Sequence, residues 1–329
     1  MLECLILQPI HEVGPALLRQ AGIVPRMAQS PDMAVVAGEV ADCIAVATRN
    51  AGLSRAAIAA ALNLRVIAVQ GVGVDPVAID YATERGIPVI NTPFANVQSV
   101  AEHAIALLMA LVKAIPAADR AVRSGDVAFR YRAPLTELHG QIFGLIGLGR
   151  TGQATARLAG GLGMTVLAFS PTRDQATFDE VGARRASTLE EVLETSDVVS
   201  LHLTLSPATR GLIGRPELAR MKSTAYLINV GRGATIDETA LVDALETRRI
   251  AGAGLDVFAN DALPGDHRLL GLDNVVLTPH IAGSTPTAME RAARTLVRGI
   301  IAVMRDEKPD NLVNSEVWPR RWWAQGQIR

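Results

Sequence analysis

Short apolar runs alternate with helical patterns almost from the first residue, which predicts an α/β chain built on parallel sheets. Two observations sharpen this. The stretch 141–152, QIFGLIGLGRTG, runs a buried-strand pattern into three glycines and then a helix. The 329 residues suffice for two domains, and turn chemistry at 91–96 ends a first α/β unit. The class expected is therefore two Rossmann-like α/β domains with parallel sheets.

The composition agrees. With 49% hydrophobic and 20% charged residues, the chain has the make-up of a globular protein with a substantial core. A formal net charge of -1 argues against a dedicated nucleic-acid surface. No apolar run reaches membrane-spanning length, and the longest, 104–112, is followed by Lys113. The first residues, LECLIL after Met1, are strand-like and carry no basic segment or cleavage pattern. Cys4 and Cys43 fall inside apolar strand-like runs and are expected to be buried reduced thiols. A cytoplasmic protein with no metal, no membrane partner and no nucleic-acid partner is expected.

In the first unit, residues 2–7 read as a strand and 14–20 as a helix. Residues 43–47 follow as a second strand, 54–62 as a helix, and 66–69 as a third strand ending in the turn Gly71, Val72, Gly73. Residues 76–85 are helical and 88–90 return as a strand. NTPFAN at 91–96 closes the unit. A long helix is expected over 97–115. Val100, Ala104, Leu107, Leu108, Leu111 and Val112 leave little of its circumference polar, so it requires burial on more than one side, in a domain interface or against a second subunit. His103 on that helix reads as packing or interface. Residues 117–124 continue helically, and 125–139 reads as an extended connector.

The second unit opens on the glycine stretch. Ile142, Phe143, Leu145 and Ile146 form the run of a buried parallel strand. Gly147, Gly149 and Gly152 fall in the pattern G-x-G-x-x-G, and Ala154, Ala156, Leu158 and Ala159 begin a helix. Strand, glycine turn and helix in that order suit a dinucleotide. Gly147 permits the tight turn, Gly149 admits a pyrophosphate to the backbone, and Gly152 lets helix and strand pack closely. The helix N-terminus supplies free N–H groups. An ordinary strand–turn–helix corner has the same outline, and the flanking elements favour the nucleotide. Later strands are read at 165–169, 198–201, 225–229, 253–255 and 275–277, with helices at 188–193 and 238–245. A last helix at 285–304 is expected to cross back onto the first unit. The tail from Trp318 to Arg329 carries all three tryptophans with Arg320, Arg321 and Arg329; such a set also suits RNA, and docking on the body or on a neighbouring subunit is the preferred expectation.

Three stretches lie at C-terminal strand ends of the second unit, where open α/β sheets collect ligands. They are NVGRG at 229–233, GAGLDVFAND at 252–261 and TPHIAGST at 278–285. Together with GVGVD at 71–75, NTPFANVQSVAEHAIALLMAL at 91–111, LHLTLSPATRGLI at 201–213 and NLVN at 311–314, they resemble the D-isomer-specific 2-hydroxyacid dehydrogenases over nearly the whole chain. The resemblance implies hydride transfer between a nicotinamide cofactor and a small 2-keto or D-2-hydroxy acid. It also implies a dinucleotide domain at 99–284 inserted in a flavodoxin-like substrate domain, 1–98 with 285–329. Hinges are expected near 94–99 and 283–286, around a cleft, and a homodimer through the dinucleotide domain.

The chemistry can be argued from the residues. Arg232 stands between Gly231 and Gly233, so its backbone can press close to the nicotinamide while its fork grips a carboxylate and polarises the keto oxygen. His280, after Pro279, can give that oxygen its proton. The family orients this histidine with a glutamate five positions after the aspartate of LDVF. Here that position holds Asp261, a side chain shorter by one methylene, about 1.5 Å of reach. Either the backbone comes closer, a water bridges the pair, or His280 titrates lower. The resemblance further implies cofactor contacts at Arg150, Thr151, Thr209, Val230, Asp256 and Gly283, and substrate-carboxylate contacts from Val72 and Gly73. His202 reads as cofactor-cleft wall, and His11, His139 and His267 as surface residues. Residues 48–50 follow a strand at the expected cleft mouth, and loops 48–52 and 71–74 are expected to set side-chain selectivity.

NAD-binding forms of this fold place an acid after the second strand. Here Ser170 stands there, with Thr172 and Arg173 able to hold a 2′-phosphate. The opposing readings are that Ser170 bonds a free ribose hydroxyl, or that Asp174 takes the acidic role. The balance leans to NADP over NAD. A nucleotide-sensing corepressor is the alternative function, which Asp261 in the glutamate position would fit. Retention of Arg232 and His280, and the lack of a long disordered extension, favour an enzyme.

Overall fold

The computed structural model, described for residues 2–260 and 262–325, divides into two units. One is Met1–Asn96 with Gly283–Arg329, and the other is Val97–Ala282. The chain thus passes between them at 96/97 and 282/283.

The first unit runs β1 (Leu2–Ile6), α1 (Val13–Gln20), β2 (Ile23–Met27), α2 (Met33–Glu39), β3 (Ala45–Thr48), α3 (Arg55–Ala60), β4 (Val66–Val69), α4 (Ile79–Glu84) and β5 (Val89–Ile90). Every pairing is parallel, in the order β2-β1-β3-β4-β5. β3 and β4 are buried at every position, as strands covered on both faces are. Sequence patterning misses β2 and α2. β2 reads IVPRM, and its Pro25 is tolerated because the strand lies at the sheet edge. Cys43 lies ahead of β3 rather than inside a strand. Both cysteines are buried and free, and burial pushes Cys4 up to about 12 and Cys43 up to about 11.

The second unit begins with α5 (Val97–Val112) and α6 (Ile115–Arg123). Ala114 between them adopts φ 49, and Pro116 follows in the first turn of α6, so the helix expected over 97–115 breaks and turns by 55°. The two-sided burial that α5 requires comes from its own unit, with α7 (Arg150–Gly161) on one flank and the sheet on the other. No single described helix is long and apolar enough to cross a membrane. The expected connector contains a short 3₁₀ helix, Val127–Tyr131.

The unit continues with β6 (Ile142–Ile146), β7 (Thr165–Phe169), α8 (Gln175–Glu180), β8 (Arg184–Arg185), α9 (Leu189–Thr195), β9 (Val198–Leu201) and α10 (Arg215–Arg220). It ends with β10 (Tyr226–Asn229), α11 (Glu238–Glu246), β11 (Gly252–Leu255) and β12 (Val275–Leu277). All pairings are parallel, in the order β12-β11-β10-β9-β6-β7-β8. The order reverses between β6 and β9, the switch point of a doubly wound sheet. α8, β8 and α10, at six, two and six residues, are too short and polar to show a period.

The chain then returns to the first unit as α12 (Pro286–Met304), which packs on α1 and β4. Leu312 pairs antiparallel with Ile90 at the free edge of β5. Buried Asn314 accepts from the Val89 N–H at 2.7 Å and donates to the Ile87 carbonyl at 3.1 Å. The Trp322 indole donates to the Leu64 carbonyl at 2.8 Å, and Arg321 pairs with Asp306 at 2.6 Å. The tail as far as residue 325 therefore docks on its own unit, and Arg329 lies outside the described residues.

Candidate active site

The glycine turn leaves β6 with Gly147 at φ 97, where a Cβ would stand 2.5 Å from the His202 carbonyl oxygen. A Cβ on Gly152 would stand 2.2 Å from the Gly147 carbonyl oxygen. Gly149 differs, since nothing lies within 4 Å of its Cβ position. It is the N-cap of α7, and no side chain caps that helix. An open cradle over uncapped N–H groups fits a pyrophosphate, with Arg150 and Thr151 in the first helical turn. At the other side of the switch point, His202 Nε2 meets Ser200 Oγ at 2.9 Å, while its buried Nδ1 has no partner among the described residues. Burial pushes this imidazole down to about 3, so it is neutral at physiological pH. An orphaned buried nitrogen beside the glycine turn also fits a bound polar ligand.

After β7, Ser170 is buried and its carbonyl accepts from the Arg173 N–H at 3.2 Å, closing a turn. The Asp174 carboxylate is engaged elsewhere. It caps α8, accepting from the Thr177 N–H at 3.1 Å and its Oγ1 at 2.6 Å, which holds it below the usual carboxylate range.

The turn after β10 is built on Asn229, which is fully buried. Its Oδ1 accepts from the Gly231 N–H at 3.0 Å and its Nδ2 donates to the Arg232 carbonyl at 3.0 Å. Thr235 Oγ1 donates to the same carbonyl at 2.6 Å. A Cβ on Gly233 would stand 1.9 Å from the Phe258 carbonyl, so only glycine fits. The Arg232 backbone is thus gripped from both sides, and its Nη1 donates to the Gly231 carbonyl at 3.0 Å. Sequence reasoning singled out Arg232 and missed Asn229 and Thr235, whose only signal is their place on either side of the glycines.

His280 follows β12 in the left-handed region, φ 54, and its N–H donates to the Asp256 carbonyl at 2.8 Å. Asp256, just past β11, is fully buried. Its Oδ1 accepts from Thr278 Oγ1 at 2.6 Å and the Ile281 N–H at 2.9 Å, and its Oδ2 accepts from the Ala282 N–H at 2.9 Å. Expected as a cofactor contact, Asp256 holds the His280 turn. Because the Thr278 hydroxyl gives its proton to Asp256, it accepts from His103 Nε2, 2.9 Å away. His103 is therefore not a packing or interface residue but a hydrogen-bonded brace of this turn. His267, expected at the surface, is also held, with Nε2 at 3.3 Å from Glu238 Oε1 and Nδ1 accepting from the Leu269 N–H. Glu238 Oε2 accepts from the Ala259 N–H at 2.9 Å. Asp261, between these anchors in sequence, lies outside the described residues.

Of the remaining expected contacts, Thr209 Oγ1 is committed to its own turn, donating to the Thr204 carbonyl at 2.7 Å and accepting from the Ser206 N–H at 2.8 Å. Val230 is buried. Gly283 belongs to the first unit, where its Cβ position falls 2.6 Å from Asn96 Nδ2. Val72 and Gly73 also lie in the first unit, where the Asn91 amide holds the Val72 carbonyl at 2.9 Å. Among the described residues no group of three His, Cys, Asp or Glu is placed to hold a metal ion.

A doubly wound sheet with an open glycine cradle at its switch point, and arginine and histidine turns at the ends of β10 and β12, defines a nicotinamide-dependent oxidoreductase. Comparison with known proteins agrees. Residues 105–282 match the family model of the D-isomer specific 2-hydroxyacid dehydrogenase, NAD binding domain. A glyoxylate reductase of Korarchaeum cryptofilum is 40% identical over 291 residues, 87% of each chain. A D-3-phosphoglycerate dehydrogenase of Methanocaldococcus jannaschii is 36% identical over 315 residues, 95% of this chain and 60% of that one. The crystal structure of an NADPH-dependent glyoxylate/hydroxypyruvate reductase from Sinorhizobium meliloti, in complex with NADP and malonate, superposes with a TM-score of 0.82. It is 30% identical and covers 95% of this chain and 97% of that one. The chain belongs to the D-isomer-specific 2-hydroxyacid dehydrogenases. It is an NAD(P)-dependent enzyme acting on 2-keto and D-2-hydroxy acids.

Proposed function

We propose that the enzyme reduces a small 2-keto acid of the glyoxylate type, with Arg232 gripping the carboxylate and His280 donating the proton. The observation that carries this reading is the pair of turns at the ends of β10 and β12, in each of which a buried hydrogen-bond network fixes the backbone of Arg232 or His280. The nicotinamide, when bound, supplies the hydride. Arg232 presents a charge-assisted fork to the carboxylate and draws electron density from the keto oxygen. The N–H groups of the Val72–Gly73 turn bind the same carboxylate. His280 passes its proton to the keto oxygen as negative charge develops there, and Asp261 keeps that imidazole protonated and oriented.

In this reading Val97–Ala282 binds the nucleotide and the other unit binds substrate. The preferred coenzyme is NADP. Support comes from the buried Ser170 in the acidic position, the exposed Arg173 beside it, and the commitment of Asp174 to its helix cap. The working form is a cytoplasmic homodimer. The names of the relatives are those of reductases and dehydrogenases, so sensing without turnover is not favoured.

The test is a panel of glyoxylate, hydroxypyruvate, pyruvate and phenylpyruvate, each with NADH and NADPH. Turnover with at least one acid is expected, faster with NADPH. His280→Ala should lower kcat by about 10²- to 10⁴-fold, and Asp261→Asn should displace the pH–rate profile. No turnover with any pair overturns the reading, a preference for NADH overturns the coenzyme assignment, and an unmoved profile removes Asp261 from the mechanism.

A further inference from the structure

In the second unit α5 packs against β10, β11 and β12. Its approach to β11 is set by Gly254, where a Cβ would stand 2.9 Å from Leu107 Cβ and 3.3 Å from Leu111 Cδ1. A larger residue there would push the helix off the strand. The contact also fixes a register. His103 lies four residues before Leu107, about 6 Å along the helix axis. Asp256 lies two residues beyond Gly254, about 6.6 Å along the strand. The two advances match, so a helix seated on Gly254 brings His103 to the C-terminal end of β11.

There His103 Nε2 stands 2.9 Å from Thr278 Oγ1 and 3.5 Å from Asp256 Oδ1. Thr278 Oγ1 donates to Asp256 Oδ1 at 2.6 Å, which leaves its lone pairs for the His103 Nε2–H. The Asp256 carbonyl accepts from the His280 N–H at 2.8 Å. All four residues belong to Val97–Ala282. The Thr278 hydroxyl has one proton and one rotatable bond. Held by His103, it points at the carboxylate. Released, it can turn away, and Asp256 loses one of the three donors that fix its side chain. His280 depends on that side chain, because a residue with a Cβ at φ 54 keeps its conformation only while its neighbours hold it.

We infer that His103 is a positioning residue for the reaction: through Thr278 and Asp256 it sets where the His280 imidazole stands when it passes its proton. This rests on the reading above, in which His280 is the proton donor. Proton transfer requires donor and acceptor within hydrogen-bond reach, and a misplacement of about 1 Å can cost 10²-fold in rate. The bonds run from α5 to the His280 turn and end there. The effect of His103 therefore falls on the chemical step, not on the glycine turn that cradles the nucleotide.

The test compares wild type with His103→Ala, His103→Gln, Thr278→Val and the double variant His103→Ala with Thr278→Val. A glutamine can place an amide N–H where the imidazole Nε2–H stands. His103→Ala should lower kcat by about 10- to 100-fold while the Kd for NADPH stays within about threefold, and His103→Gln should recover most of the loss. Adding His103→Ala to Thr278→Val should cost less than about threefold more, because the bond is already gone. An unchanged kcat in His103→Ala, a loss that glutamine does not relieve, a matching loss in NADPH affinity, or additive losses in the double variant overturns the inference. Nitrogen-15 spectra of the histidine rings read the coupling without turnover, and in the wild type they need no variant at position 103. The His103 Nε2–H should be protected from solvent exchange in the wild type and lose that protection in Thr278→Val. The His280 ring resonances should move in His103→Ala and return toward wild type in His103→Gln. A wild type that reduces no keto acid but shows these shifts defeats the function proposed above and keeps the coupling. His280 resonances that stay in place, or an unprotected His103 Nε2–H, defeat the positioning role whatever the activity.

Discussion

At His280 the backbone takes a left-handed conformation that costs a residue with a Cβ about 1–2 kcal/mol. Asp256 offsets this, through three bonds to its carboxylate and one to its carbonyl. The result is an imidazole presented from a turn that cannot relax. His202 makes a different case. Its folded value of about 3 lies far below the ordinary 6.5. The unfolded chain takes up the proton first, so its contribution to stability is complete above pH 6.5 and is lost as pH falls from 6.5 toward 3. The slope is about 1.4 kcal/mol per pH unit. Urea unfolding of wild type and His202→Gln should therefore converge by about 2 kcal/mol between pH 6.5 and pH 5. Parallel curves would mean that this histidine titrates normally in the fold. Arg232 and His280 were legible in the sequence because each sits in a motif. His103 was not, because its role depends on Thr278, 175 residues away.

At the scale of elements, the glycines of the nucleotide turn divide into two kinds that sequence treats alike. A Cβ on Gly147 or Gly152 would stand 2.5 and 2.2 Å from backbone oxygens, so these two serve the fold. Gly149, at φ -71 and ψ -174, has ordinary extended geometry and open space around it. Gly149→Val should thus cost the fold no more than about 1 kcal/mol as a poorer N-cap while raising the coenzyme KM at least tenfold. Gly152→Ala should fail to give a stable protein. Thermal melts and coenzyme titrations read both, and a Gly149→Val enzyme with unchanged KM would exclude the cradle as the pyrophosphate site. The helix break at Ala114 and the edge strand β2 show the limit of periodicity. A run of apolar residues carries no mark of where a left-handed residue interrupts it, and a strand at a sheet edge need not be apolar.

For the whole molecule, α6 and the segment after it leave Ile115, Val122, Val127, Tyr131 and Leu135 between 55% and 85% exposed. In the proposed homodimer these exposed apolar side chains are the expected contact. Wild type should sediment at twice 34.8 kDa, and Val122→Asp with Tyr131→Asp should shift it toward the monomer. An unchanged sedimentation profile in the double variant would place any dimer contact elsewhere. The sequence by itself determined the parallel α/β class, the glycine turn, the arginine and histidine motifs and the family, because each is written in consecutive residues as a local backbone demand. Only the tertiary structure decided which side chains brace those motifs, where the tryptophan tail docks, and that Arg49, at a strand-order reversal, pairs with no carboxylate among the described residues. These depend on which distant segments the two sheets bring side by side, and on which buried polar atoms that leaves unpaired.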